Sequence, residues 1–308
     1  MFKAFEGQPI SYFAKALSSS VRQTPLKVCD PIMRQKLVVS VSGKGGVGKT
    51  TLTTLLLRTL LDHTKHALLV VDADPVMNLP AMLNIPIEAT VGDAATKLRQ
   101  DIDAGNLPAS SSKQDRLEGE VYDTLIEGEK FDFLAMGRTE GEGCYCFVNR
   151  VLTQILDTIT ANYDITLLDM DAGLEHFSRR TDRNVDVLII VIDTSKMAFD
   201  AAVRIRDLAK EVHIAFKRIW VIANRFPPTL IPQSKDSLDR RLNEAGLELA
   251  GIIPADDQIV AYNLQGRSLL ELPSDHPALK EVEKIAKKIG LLSEESMLEL
   301  LGRTHTAD

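Results

Sequence analysis

An apolar run at residues 37–42 passes without interruption into Ser42-Gly43-Lys44-Gly45-Gly46-Val47-Gly48-Lys49-Thr50-Thr51, and a helix-length amphipathic stretch follows over 49–63. A buried strand, then G-x-x-x-x-G-K-[ST], then a helix is the arrangement of a phosphate-binding loop. Glycines let the backbone wrap close around phosphate oxygens, so that main-chain N–H groups and the helix N-terminus point at the anion. Lys49 places a cation on the outer phosphates, and the Thr50 hydroxyl can ligate magnesium. Gly43, Gly45, Gly46, Val47, Gly48, Lys49, Thr50 and Thr51 are therefore the expected nucleotide-binding residues.

The rest of the chain repeats the strand–helix alternation. Short apolar runs recur at 67–72, 132–136, 165–170, 187–192, 218–223 and 249–253, and helical periodicity at 147–162, 197–211, 235–246 and 277–290. This pattern predicts an α/β fold, a P-loop NTPase. Its sheet is mostly parallel and doubly wound, with about seven or eight strands and helices on both faces. Residues 101–130, polar and Ser-rich, read as a surface insertion. Residues 1–36 read as an N-terminal extension with a short helix around 9–18, residues 37–290 as the ATPase domain, and 291–308 as a C-terminal tail. Glu6 and Asp30 argue against a transit peptide.

The 36 Lys plus Arg are outnumbered by 43 Asp plus Glu, a formal charge of −7. Nucleic-acid binding would need a local basic face that this balance does not suggest. No window approaches the roughly 18 uninterrupted apolar residues of a membrane span. The expectation is a cytoplasmic protein that engages neither nucleic acid nor membrane.

Two further segments carry carboxylates. In Val71-Asp72-Ala73-Asp74-Pro75 the proline biases Asp74 toward an extended conformation at the strand's carboxyl end, where open α/β sheets bind ligands. Ile165 to Asp169 is an apolar strand ending in aspartate, the Walker B pattern, and Asp169 would hold magnesium with Thr50, through a bound water. Gly173 leaves its N–H free to approach the γ-phosphate, which makes 169–176 a candidate switch.

KGGVGKTT, with its extra Lys44, resembles the deviant Walker A box of the MinD/ParA and nitrogenase-iron-protein class. The resemblance implies a nucleotide-sandwich homodimer in which Lys44 reaches the partner's phosphates, so that the catalytic set is Lys44, Lys49, Asp74 and Asp169. Asp74 would orient the attacking water, with Asp72 as second choice or as a structural cap. It also implies that Asn224, in Val221-Ile222-Ala223-Asn224-Arg225, hydrogen-bonds adenine. Arg225 lies beside it, and backbone near Pro254 flanks the ring. ATP is favoured over GTP, since no N-K-x-D sequence occurs.

Three cysteines are too few for a disulfide framework, but Cys144 and Cys146 stand one residue apart in a Gly-rich segment. In an extended or turn conformation both sulfurs face one side. Two thiolates leave a metal site incomplete, and a symmetric dimer supplies the missing pair. The alternatives are two small buried thiols, or a strained redox disulfide. GCYC before a helix, with DMDAGLEHFSRRT after the Walker B strand, is similar to CooC-type nickel-insertion ATPases that mature carbon monoxide dehydrogenase. That similarity spans residues 37 to 290. It implies ATP-driven dimerisation, nickel (or zinc in its place) held by Cys144 and Cys146 of both subunits, and carbon monoxide dehydrogenase as client. The extension with Cys29 departs from the pattern. His176 is a switch, ligand or structural residue.

Two rival readings are open. A MinD/ParA-type positioning ATPase shares every nucleotide motif and needs no metal. Helix 277–290 mixes Lys with Glu281 and Glu283, which predicts packing onto the domain rather than membrane binding. An iron–sulfur reductase takes its two cysteines per subunit from separate segments, whereas this chain offers one adjacent pair outside the extension.

Overall fold

The computed structural model describes residues 36–106, 113–138, 158–171, 185–211 and 216–292. Cys29 and most of the N-terminal extension, Cys144, Cys146, Gly173, His176, most of the expected helix 147–162 and all but two residues of the tail lie outside the described residues.

The apolar runs form the strands β1 Leu37–Gly43, β2 Leu68–Asp72, β3 Asp132–Ala135, β4 Ile165–Asp169, β5 Val187–Ile192, β6 Arg218–Phe226 and β7 Glu248–Pro254. The helices are α1 Lys49–His63, α2 Asn78–Leu83, α3 Val91–Asp103, α4 Lys113–Tyr122, α5 Lys196–Glu211, α6 Ile231–Glu244, α7 Asp257–Leu264 and α8 Pro277–Lys288, with a 3-10 turn at Leu269–Glu271. The strands make a seven-stranded sheet in the order β3-β2-β4-β1-β5-β6-β7, and every pair is parallel. Near-continuous Val, Ile and Leu runs suit strands covered on both faces.

Successive residues alternate between two cores, as the period of two requires. Leu68, Val70, Phe133, Ala135, Ile165 and Leu167 join α1, α2 and α8 in the larger core. Leu69, Val71, Leu134, Leu168 and Met170 pack instead with α3 and α4. Helix α8 buries Leu279, Val282, Ile285 and Ala286, so its apolar face is used in packing, as its interleaved glutamates suggest.

The structure departs from expectation at several points. The segment 101–130 is not simply a surface insertion: Leu117 and Val121 of α4, four residues apart, are fully buried in the smaller core. Polar composition hides such a helix, because one apolar stripe is enough to seat it. Helix α6 begins at Ile231 rather than 235, with a proline in its first turn, where no hydrogen bond is lost. Strand β6 continues to Phe226 through an irregular register between Ala223 and Phe226.

Chain order departs from spatial order around β1, which lies between β4 and β5. This is the switch point at whose carboxyl end α/β sheets bind ligands. The close approach there needs glycine: Gly43 has φ +148, and a Cβ would stand 2.4 Å from the Val191 carbonyl oxygen. Gly43→Ala is therefore expected to cost roughly 2–4 kcal/mol of stability through this backbone clash. An unchanged urea midpoint would contradict the close-approach argument.

Candidate functional site

Gly48, at φ +91, is the N-cap of α1, and the helix starts at Lys49. The loop is braced from behind. The Asn224 side-chain amide donates to the Val47 carbonyl at 2.9 Å, and the Arg225 guanidinium donates to the Gly46 carbonyl at 2.9 Å. Arg225 adopts φ 57 at the irregularity in β6, a conformation uncommon outside glycine. A Cβ on Gly48 would lie 2.4 Å from the Asn224 amide nitrogen. The sequence motif does not reveal this brace, since it joins positions far apart in the chain.

On one side of β1 two carboxylates sit on the adjacent strands β4 and β2. Asp72 and Asp169 are register partners, and Asp169 is 1% exposed. Thr53, one turn into α1, donates to the Asp169 carboxylate at 3.2 Å. Burial above all pushes the Asp169 carboxyl up to about 7, and the Asp72 charge adds to this. Hydrogen bonds from Thr50 and Thr53 and the Lys49 charge oppose the shift. Asp72 is also raised by burial, to about 6, against hydrogen bonds from the Asp74 and Leu79 N–H groups. Those two bonds, 2.9 and 3.1 Å, make Asp72 the clasp that fixes the turn leading into α2. Asp74 sits on that turn, its carboxylate accepting from the Val76 N–H at 2.8 Å.

These elements surround a cavity of about 450 Å³. Of the expected residues, Gly45, Gly46, Gly48, Lys49, Thr50, Thr51, Asp74 and Arg225 line it. Gly43, Lys44, Val47, Asp169, Asn224 and Pro254 are not among its lining residues. Asn78, Ala81, Met82, Asp171, Asn263, Gly266 and Arg267 line it as well, and the motifs did not single them out. Lys44 is half-buried on the loop, and its charge reaches Asp193 at the end of β5. Burial alone would raise Asp193, yet hydrogen bonds from Ser195 and the Lys44 charge outweigh it and hold the carboxyl below its usual range.

The donor set fits magnesium: Thr50 and Asp169 offer hard oxygen ligands, and a cation would offset the cost of the buried Asp169 charge. Among the described residues, no cluster of three or more His, Cys, Asp or Glu side chains is arranged to hold a metal. No described helix is long and apolar enough to cross a membrane.

Comparison with known proteins agrees with this architecture. Residues 38–269 match the CobQ/CobB/MinD/ParA nucleotide binding domain. An uncharacterized ATP-binding protein of Methanocaldococcus jannaschii is 44% identical over 253 residues, covering 82% of this chain and 98% of that one. The carbon monoxide dehydrogenase accessory protein CooC of Rhodospirillum rubrum is 30% identical over 244 residues, covering 76% of this chain and 89% of that one. Among solved structures, the MinC:MinD cell division complex of Aquifex aeolicus matches with a TM-score of 0.60 at 20% identity, over 88% of this chain and 98% of that one. The chain belongs to the CobQ/CobB/MinD/ParA family of nucleotide-binding domains.

Proposed function

We propose that this chain is an ATP-hydrolysing metallochaperone that closes into a homodimer on nucleotide. In this reading it binds nickel through Cys144 and Cys146 of both protomers and inserts it into carbon monoxide dehydrogenase. The observation that carries the reading is the Cys144-Tyr145-Cys146 pair, placed between β3 and β4 of a MinD/ParA-type domain whose relatives include a carbon monoxide dehydrogenase accessory protein.

In this mechanism the loop amides and Lys49 hold the phosphates. Thr50 and Asp169 would hold magnesium, which supplies charge neutralisation when bound. Asp74 orients the attacking water, Lys44 completes the site of the partner protomer, and the Gly173 N–H approaches the γ-phosphate. Asn224 hydrogen-bonds adenine with Arg225 beside it, and backbone near Pro254 flanks the ring. Nickel is the cargo, and zinc can occupy the same thiolates. The ATPase domain is residues 37–290 and works in the cytoplasm; the extension and the tail are additions to it.

Cys144→Ser or Cys146→Ser is expected to abolish nickel binding while leaving ATP affinity intact, read by metal analysis beside nucleotide titration. Nickel uptake by the double variant equal to that of the unaltered chain would overturn the reading. A MinD/ParA-type positioning ATPase, the second reading suggested by the shared fold, predicts that equality.

A further inference from the structure

We propose that Arg267 is the platform on which the nucleotide base stacks, an inference that rests on the ATP-binding reading above and adds a residue to it. Helix α7 ends in a Schellman motif. Gly266, at φ +64, donates its N–H to the Asn263 carbonyl at 3.2 Å, and Arg267 donates its N–H to the Tyr262 carbonyl at 2.9 Å. This geometry carries the residue after the glycine back over the last turn, where an apolar contact is usual. Here the guanidinium lies over the Tyr262 ring, 4.1 Å from its centroid. Two N–H groups, on Nε and Nη2, bond one oxygen of Glu271 at 3.1 and 3.0 Å and fix the guanidinium plane.

The Tyr262 ring is buried beneath the guanidinium, whereas the Arg267 side chain is about half exposed and lines the nucleotide cavity. Its position along the sheet identifies what it meets. Asp74 and Asp171 follow β2 and β4 on one side of β1, while Arg225 and Arg267 belong to β6 and the segment after β7 on the other. The phosphates occupy the loop at β1, with the carboxylates on the first side, so the remaining part of the ligand extends toward Arg267. A planar cation held by a carboxylate and backed by an aromatic ring offers a flat, partly neutralised face, which suits a heteroaromatic base better than a phosphate.

The test compares the unaltered chain with Arg267→Leu and Arg267→Lys by calorimetric titration of ATP and of inorganic tripolyphosphate, both with magnesium. Leucine keeps an apolar contact on Tyr262, and lysine keeps the charge without the plane. Both variants are expected to lose about tenfold in ATP affinity while binding tripolyphosphate as before. Unchanged ATP affinity in either folded variant would overturn the stacking role, as would equal weakening of ATP and tripolyphosphate, which marks a simple charge. If the unaltered chain itself bound no ATP, the underlying reading would fail, an outcome distinct from both of these.

Discussion

Lys44→Ala is expected to bind ATP nearly as well as the unaltered chain, yet to lose hydrolysis by at least about a hundredfold and to remain monomeric with nucleotide. In-trans cations on a transferring phosphoryl group contribute roughly 10³–10⁵ in rate. Binding is expected to survive because Gly45, Gly46, Gly48, Lys49, Thr50 and Thr51 line the cavity, and Lys44 does not. The nearby charge on Asp193 is half-buried, so the substitution also leaves that carboxylate without one of its favourable influences. Single-turnover hydrolysis beside sedimentation of the ATP-bound protein reads both consequences. A monomeric, fully active variant would refute the in-trans role.

Asp169→Asn is expected to abolish magnesium-dependent hydrolysis and, in the absence of nucleotide, to stabilise the protein at alkaline pH. The carboxyl titrates near 3.8 when exposed and near 7 in the folded chain, with burial as the main cause. The folded state therefore binds this proton more tightly than the unfolded state. Stability falls as pH rises from about 4 to about 7, and the whole penalty is present above that. A shift of this size corresponds to roughly 4 kcal/mol at most. Asparagine keeps the shape, can still accept from Thr53, and carries no charge to bury. The nucleotide-free variant should melt several degrees higher than the unaltered chain at pH 8 and converge with it near pH 4. A melting difference independent of pH would contradict the assignment of the penalty to Asp169.

The sequence revealed most where burial writes a pattern. Helix α1 spans Lys49–His63 and β5 spans Val187–Ile192, both as their apolar periodicity predicts, because strands covered on both faces and a helix beneath them tolerate few polar residues. Legibility was lower for short or polar elements. Helix α3 is set by a reciprocal capping box between Thr90 and Asp93, a local signal more diagnostic than its hydrophobic pattern. Helix α4 is seated by Leu117 and Val121 within an otherwise charged stretch, so composition alone made it look like an insertion.

The site divides in the same way. Gly45, Gly46, Gly48, Lys49, Thr50 and Asp74 line one cavity, as their short motifs predict. The braces from Asn224 and Arg225 to the loop carbonyls join residues about 177 and 179 positions apart, and no local spacing announces them. The sequence makes Asp72 the second choice after Asp74 for orienting water, or else a cap; its two accepted backbone hydrogen bonds, from Asp74 and Leu79, are contacts that no local spacing announces. No local spacing announces Arg267, because its placement depends on how α7 ends, and α7 itself is only eight residues long.

The most direct test of the account is the nickel content of the purified chain, measured with and without a non-hydrolysable ATP analogue and magnesium. Dimer closure that brings both Cys144–Cys146 pairs together predicts one nickel per two protomers, bound more tightly with the analogue. By reciprocal linkage, nickel must then tighten nucleotide binding by the same factor. Nickel affinity independent of nucleotide, or retained when both cysteines are serine, would contradict it.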